Sequence, residues 1–372
     1  MIKSISNSVS ATNIFIAIFI LAILASIRKQ KVKEFFSLDT TQELKGFAIL
    51  AVVFSHIGYF LVSDHNFLHP LTIIAGVGVD LFLILSGYGL VMSSLKKDQS
   101  IWQFYKTRLI RLFVPMWIVL ILFFTADYFI LNIKYSWGYI VQAFFGIFRT
   151  ADLYTDINSP LWYFTLILFF YLVFPLVFSK KRPWLSALII YVLGYLILKT
   201  EPYRLSGNIY MYKIHLIGFP LGMFIASLVK NEYIISLQNS NFVKKNIDKF
   251  KQPNVLNNLI YYFIFFILVY LSAYFSYNSG VGKGLRMEQG ISILTAMLLL
   301  ALFLMKRFDI RLFNIFGVYS YEIYLLHWPL LYSYDVFYQY FPAWLATALY
   351  LPFFLGLSVG LQRLSKVIVS KI

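Results

Sequence analysis

The 372-residue chain contains no cysteine, and only 13% of its residues are charged. The missing cysteine excludes disulfide bonds, thiolate nucleophiles and cysteine-ligated metals. A soluble domain has about 25% charged and about 45–50% apolar residues, whereas this chain is 60% hydrophobic. The apolar residues occur in long blocks, which excludes a soluble enzyme, a disordered chain and a coiled coil. The apolar surface must therefore face lipid.

Acidic residues are also scarce, because 16 Asp and Glu stand against 32 Lys and Arg. The net charge of +16 by itself suggests a nucleic-acid partner. The cations, however, occur in short clusters between apolar blocks, and no nucleic-acid recognition motif accompanies them. That distribution is typical of the charges that set the topology of a membrane protein, so we expect no nucleic-acid partner.

The apolar blocks predict an all-α fold, a polytopic bundle of about eleven transmembrane helices. The predicted helices lie near 12–27, 45–63, 72–93, 109–131, 160–178, 184–199, 209–229, 256–277, 288–305, 313–334 and 343–363. The connections between them alternate in charge: those on one side hold 24 Lys and Arg, and those on the other side hold 7. The positive-inside rule then places the N-terminus outside and the C-terminus in the cytoplasm.

The first apolar block is either a cleaved signal peptide or a retained anchor. Arg28 and Lys29 follow the block, whereas only Lys3 precedes it. Cations after the apolar run favour a retained anchor with its N-terminus outside. We therefore divide the chain into an anchor helix with a basic connection, residues 1–44, and a membrane domain, residues 45–372.

Ionisable residues at bilayer depth are costly, and each is a candidate for function. Lys45 and His56 are eleven residues apart on one predicted helix, so they face the same way about 16 Å apart along its axis. A cation at the cytoplasmic mouth suits a phosphate-bearing ligand, and a histidine at depth suits proton transfer. Alternatively, Lys45 is an ordinary cytoplasmic flank and His56 a packing residue with a hydrogen bond.

Two acidic residues are predicted at the depth of His56. Asp80 follows Gly76 and Gly78 in the third predicted helix, and an Asp80–His56 pair would fix the imidazole tautomer. Glu322, in the tenth predicted helix, is expected about 14 Å deep and close to His56. His327 lies five residues further out, and either of these two could be catalytic or a packing partner of the other.

Other charged positions leave two interpretations open. Arg108 and Arg111 are neighbours on one helix face, and such guanidinium pairs bind phosphate, although they also fit a cytoplasmic flank. Lys213 and His215 lie in the outer third of a span, where an ammonium group usually snorkels to the interface. Asp127 is expected near the outer end of its helix, within reach of water.

Five motifs in order make the chain resemble acyltransferase family 3, a family of integral membrane proteins. They begin with Lys45 through His56, which resembles the family's basic-residue and histidine motif, although Lys replaces the usual Arg. The others are Gly78-Val79-Asp80-Leu81-Phe82 through Tyr88, Arg108 to Arg111 with Pro115, Ser159-Pro160-Leu161-Trp162, and Ser320-Tyr321 through His327 and Pro329.

The resemblance implies transfer of an acyl group, most often acetyl, from cytoplasmic acyl-CoA to a hydroxyl of a cell-surface or exported polysaccharide. It implies ten core helices that begin with the helix of Lys45 and His56, and the predicted helix at 12–27 departs from that pattern. It also implies a bilayer location in a bacterial plasma membrane, acetyl-CoA as donor and no metal. The implied roles are catalysis by His56, Asp80 and Glu322, and donor binding by Lys45, Arg108 and Arg111. For the acceptor, the implied binding residues are Trp162, Tyr324 and His327.

Two other functions compete with acyl transfer. Buried ionisable groups among many helices also suit a transporter or flippase of glycan precursors. A structural membrane subunit is the third possibility, but it leaves the grouping of ionisable residues at two depths unexplained. Incubation with labelled acetyl-CoA separates the first two, because a transporter leaves the thioester intact.

Overall fold

The computed structural model describes residues 5, 7–30, 36–58, 64, 66–152, 155–230, 254–280 and 282–371. In that part of the chain the structure is helical apart from one short two-stranded ribbon. The helices are α1 (Ser8–Ala25), α2 (Leu38–His56), α3 (Ala75–Lys96), α4 (Ile101–Ile130), α5 (Trp137–Phe144), α6 (Trp162–Val177), α7 (Pro183–Lys199), α8 (Ile209–His215), α9 (Gly218–Val229), α10 (Val255–Tyr277), α11 (Leu285–Met305), α12 (Arg311–Val318), α13 (Ser320–Tyr332) and α14 (Ala343–Val369). The strands are β1 (Ile27–Lys29) and β2 (Phe308–Ile310), which pair antiparallel.

The predicted fold class, a helical bundle of the membrane type, is confirmed. Eight helical segments of the described chain are long and apolar enough to cross a membrane. Each of the eleven predicted helices overlaps an observed helix. Helix α7, with 17 residues, is an apolar helix slightly shorter than the eight candidate spans. The end of the second predicted helix, residues 59–63, lies outside the described residues.

Two predicted helices are each broken into two. The segment predicted as one helix over 313–334 is α12 followed by α13, and the chain turns at Tyr319, where φ is −108°. The segment predicted over 209–229 is α8 followed by α9, so His215 is the last residue of a short helix. Within the long connection 132–159 the structure contains α5, the additional helix that its aromatic residues indicate. Apolar composition does not show such breaks, because the residues on both sides of each break are mostly apolar.

Glycines allow two pairs of helices to cross at backbone contact. A methyl group at Gly46 of α2 would lie 1.8 Å from the carbonyl oxygen of Phe313 in α12. A methyl group at Gly87 of α3 would lie 2.1 Å from the carbonyl oxygen of Phe219 in α9. Small residues at such crossings let helix backbones approach closely, which is how membrane helices gain packing energy. These crossings hold α2 and α3, the two helices that carry most of the candidate site, against their neighbours.

The N-terminal helix packs on the same bundle. Phe15 and Phe19 of α1 make edge-to-face contacts with Phe54 of α2, with ring centroids 5.4 and 5.2 Å apart. After α1, strand β1 pairs with β2, which directly precedes α12. Beside β2 the buried Lys306 ammonium lies 2.5 Å from the buried Glu43 carboxylate of α2. The chain before α2 and the chain before α12 are thus fixed at the same end of the bundle.

Candidate active site

A cavity of about 610 Å³ lies inside the bundle, and α2, α3, α4, α6, α8, α11 and α13 line it. Cavities of about 300–1,000 Å³ are typical of sites for small molecules and cofactors. We call one end, lined by Lys45, Arg108 and Arg111, the basic end. The other end, lined by His56, His215 and Ser292, we call the histidine end. Lys45 and His56 belong to one continuous helix, so the cavity extends about 16 Å along α2.

The basic end carries positive charge that the described protein does not neutralise. Arg108 donates a hydrogen bond from Nη2 to the hydroxyl of Ser93, at 3.1 Å. The carboxylate nearest to Lys45 in the sequence, that of Glu43, is already paired with Lys306. Across the described ranges, no carboxylate forms an ion pair with Lys45, Arg108 or Arg111. Three cations in this arrangement suit an anionic ligand, and guanidinium groups suit phosphate in particular.

His56 is oriented by His327. Nδ1 of His56 lies 2.7 Å from Nε2 of His327, and the two ring planes are within 5° of each other. Nδ1 of His327 faces the carbonyl oxygens of Ile323 and Tyr324, at 3.1 and 2.9 Å. A carbonyl oxygen only accepts, so Nδ1 of His327 carries a proton. In the neutral pair, Nε2 of His327 accepts from His56, and Nε2 of His56 is the basic nitrogen.

The expected pairing of Asp80 with His56 is wrong, because Asp80 binds a different histidine. One oxygen of its fully buried carboxylate lies 2.9 Å from Nδ1 of His215, and the other accepts a hydrogen bond from Ser292 at 2.5 Å. His215 belongs to α8 and Ser292 to α11, so three helices meet here. A linear count of residues put Asp80 level with His56, and it could not show that His215 and Ser292 are the partners of Asp80.

Aromatic side chains cover both imidazoles. The indole of Trp162 stacks on His215 at a centroid distance of 5.6 Å, and Trp328 packs edge-on against His56 at 5.3 Å. Tyr324 lines the cavity with its ring, while its hydroxyl donates to the carbonyl oxygen of Pro160 at 2.8 Å. Trp162 and Tyr324 therefore line the same cavity as His56, and their role in acceptor binding stays a prediction. His327 lies behind His56 and is fully buried.

Glu322 does not lie where the sequence predicts. Its carboxylate is buried beside Gln362 and Lys366 of α14, and it is not part of the cavity wall. The prediction assumed one straight helix from residue 313, and the break at Tyr319 changes both the direction and the depth of the following residues. The position that we assigned to Glu322, beside His56, is occupied by His327.

The remaining ionisable candidates lie outside the cavity. Lys213 forms an ion pair with Glu201 at 2.7 Å near the surface. Asp127 does not reach water as expected, because it is buried and accepts hydrogen bonds from Tyr135 and Tyr334, both at 2.6 Å. These contacts join α4 to the connections that precede α5 and follow α13, and they indicate a structural role.

Sequence reasoning did not identify Ser292 and Trp328 as members of the site. Ser292 is one hydroxyl in an apolar helix, and nothing in its surroundings distinguishes it from a packing serine. For Trp328, the one signal in the sequence was its position directly after His327. His215 was considered, but its nearness to the outer end obscured its link to Asp80.

A multi-helix bundle whose internal cavity has unpaired cations at one end and two imidazoles at the other is typical of an integral membrane protein with a candidate active site among its helices. The comparison with protein families identifies which one: the model of an acyltransferase domain matches residues 43–363. The chain therefore belongs to acyltransferase family 3. No curated protein and no solved structure is significantly similar to it.

Proposed function

We propose that this protein is an O-acyltransferase that moves an acetyl group from acetyl-CoA to a hydroxyl of a cell-surface or exported glycan. The observation that carries the proposal is a single cavity with unpaired cations at one end and a histidine of defined tautomer at the other. Family membership supports acyl transfer, and the cavity supports the choice of donor and acceptor. The site is proposed to work in a bacterial plasma membrane, with the bilayer around the bundle.

The basic end supports a nucleotide donor. Coenzyme A carries several phosphates, and a phosphate prefers a guanidinium pair such as Arg108 and Arg111, with the Lys45 ammonium beside it. The charge census places this end on the cytoplasmic side, where acyl-CoA is found. From that end, the extended arm of the donor can carry its thioester along α2 toward His56.

The histidine end supports general-base catalysis. Nε2 of His56 takes the proton of the acceptor hydroxyl as the hydroxyl oxygen attacks the thioester carbonyl carbon. A carbon–oxygen bond forms, the carbon–sulfur bond breaks, and His56 passes its proton to the departing thiolate. His327 keeps Nδ1 of His56 protonated throughout, so Nε2 faces the substrate. A positioned base of this kind contributes about 10²–10⁴-fold to rate.

The lining of the cavity supports a neutral glycan acceptor. Trp162, Tyr163 and Tyr324 present aromatic surface, and Ser55 and Ser292 are among the polar residues of the wall. Such a mixture of aromatic faces and a few polar groups suits a ligand with C–H faces and hydroxyl edges, which a sugar has. Among the described residues of the wall, the one acidic side chain, Glu288, is already bonded to Tyr210 and to a backbone amide.

The test uses membrane vesicles from an expressing host, which contain the native acceptor, and acetyl-CoA labelled in the acetyl group. The wild-type protein should release free thiol and label a glycan. His56→Gln should remain in the membrane and lose both activities. His69→Gln is the matched control, because His69 is an exposed histidine outside the cavity wall. Intact acetyl-CoA in the presence of the wild-type protein would support a transporter instead.

A further inference from the structure

The mechanism proposed above uses one imidazole, yet a second one lines the same cavity. His215 is 4% exposed, and Nδ1 of its ring lies 2.9 Å from the carboxylate of Asp80. Ser292 donates to the other oxygen of that carboxylate. Trp162 stacks on the ring at an angle of 22° between planes. Residues of α3, α6 and α11 therefore fix the position of His215, which belongs to α8.

The surroundings of His215 favour its cationic form. Asp80 is fully buried, and a buried carboxylate needs a compensating positive charge. Within the described ranges, His215 is the cationic group in ion-pair contact with Asp80. The other carboxylate from a helix packed here, Glu288 of α11, is directed to Tyr210 and to the amide of Lys283. An imidazolium at His215 therefore makes the Asp80 pair neutral.

His56 has the opposite surroundings. Its ring is bonded to a second imidazole, and a neutral His327 with protonated Nδ1 supplies the acceptor that a neutral His56 requires. In this one cavity, the contacts of His56 thus suit a neutral imidazole, and the contacts of His215 suit a charged one. Pairs of titratable groups whose environments differ in this way mark separate catalytic roles.

The two rings lie at successive levels along the cavity. A methyl group at Gly78 of α3 would contact Ala48 of α2, at 2.7 Å, so Asp80 lies near the level of Ala48. His56 is eight residues further along α2, or about 12 Å, and its side chain leans back toward the basic end. The ring of His215 reaches to 3.5 Å from a methyl position on Gly76, between the two levels. A thioester that enters from the basic end meets His215 on its way to His56.

We propose that His215 is a second catalytic residue of the acyl transfer, and that its imidazolium, held by Asp80, donates a hydrogen bond from Nε2 to the thioester carbonyl oxygen. This proposal rests on the proposed function. When the hydroxyl oxygen attacks, the carbonyl oxygen gains negative charge, and a fixed cationic donor stabilises it most at that moment. No proton leaves His215 in this step, so His56 alone carries the proton from the hydroxyl to the thiolate.

The experiment measures thiol release from acetyl-CoA by membrane vesicles as a function of substrate concentration. His215→Leu removes the donor and should lower kcat by about 10²–10³-fold with KM little changed. His215→Gln keeps an N–H donor without charge, so its loss should be smaller. Asp80→Asn should also lower kcat, because it removes the carboxylate that holds the ring of His215.

The control is Thr295→Ser, one turn from Ser292 on α11, because the hydroxyl of Thr295 bonds its own helix at Ile291. Its kinetics should match those of the wild type. A His215→Leu protein with unchanged kcat, or with a change in KM alone, would overturn the proposal. If the histidine variants do not fold, an Asp80→Asn protein with unchanged kcat overturns it equally. Wild-type protein that releases no thiol would instead refute the proposed function.

Discussion

His56 and His327, 271 residues apart in the chain, form one hydrogen-bonded pair at 2.7 Å inside the bundle. The carbonyl oxygens of Ile323 and Tyr324 fix the proton on one nitrogen of His327, and this determines the tautomer of His56. The chain therefore uses the backbone of α13 to orient the proposed base of α2. In the sequence, a carboxylate was expected in this role.

The first prediction concerns this pair. His327→Leu removes the acceptor for Nδ1 of His56, so His56 can adopt the unproductive tautomer, and kcat should fall by about 10²–10⁴-fold. His327→Gln supplies an amide oxygen as acceptor and should retain more activity than His327→Leu. The measurement is kcat for thiol release from acetyl-CoA by membrane vesicles that contain each protein and the acceptor. Equal activity of the two variants would contradict a tautomer-fixing role.

The second prediction concerns the basic end. Arg111→Ala should raise KM for acetyl-CoA with little change in kcat, because the residue lies at the far end of the cavity from His56 and is proposed to bind the donor equally in the ground and transition states. The wild-type KM should also rise with salt concentration, and this dependence should be weaker in the variant. Lys97→Ala is the control, since Lys97 is exposed and outside the cavity wall. A salt dependence that is the same in both proteins would remove Arg111 from the donor site.

The third prediction concerns helix packing. Gly87→Ala places a methyl group 2.1 Å from the carbonyl oxygen of Phe219, so α3 and α9 must separate. Overpacking of this kind costs about 1–3 kcal/mol. Gly89→Ala, two residues along the same helix, meets no atom within 4 Å and should be tolerated. Thermal unfolding in detergent should show a lower Tm for the first variant alone, and a similar Tm for both would contradict the crossing.

The fourth prediction concerns the buried pair of Lys306 and Glu43. Lys306→Met leaves the fully buried Glu43 carboxylate without its counter-charge and should destabilise the protein by about 3–5 kcal/mol. Adding Glu43→Gln to that variant removes the unpaired charge and should recover part of the loss. Unfolding in detergent of the two single variants and the double variant forms the cycle. Additive effects would show that the two groups are not coupled.

The breaks in the chain explain which predictions of the site failed. The sequence correctly predicted Lys45 and His56 on one helix, because an unbroken helix has a fixed spacing. It misplaced Glu322, because the helix was assumed to continue through Tyr319. For Asp80 it predicted neither the level along α2 nor the partner, since His215 is 135 residues away and reaches Asp80 only where α8 ends.

Composition and charge alone determined that this chain is a helical membrane protein. In lipid every backbone polar group must be satisfied within the chain, so long apolar blocks can only be helices. Motif order along the chain indicated the acyltransferase family as well, because it depends on sequence and not on packing. Only the tertiary structure decided which histidine Asp80 binds and which group orients His56. Those contacts depend on where helices break and how closely glycines let them cross, and neither is encoded in the periodicity of a single segment.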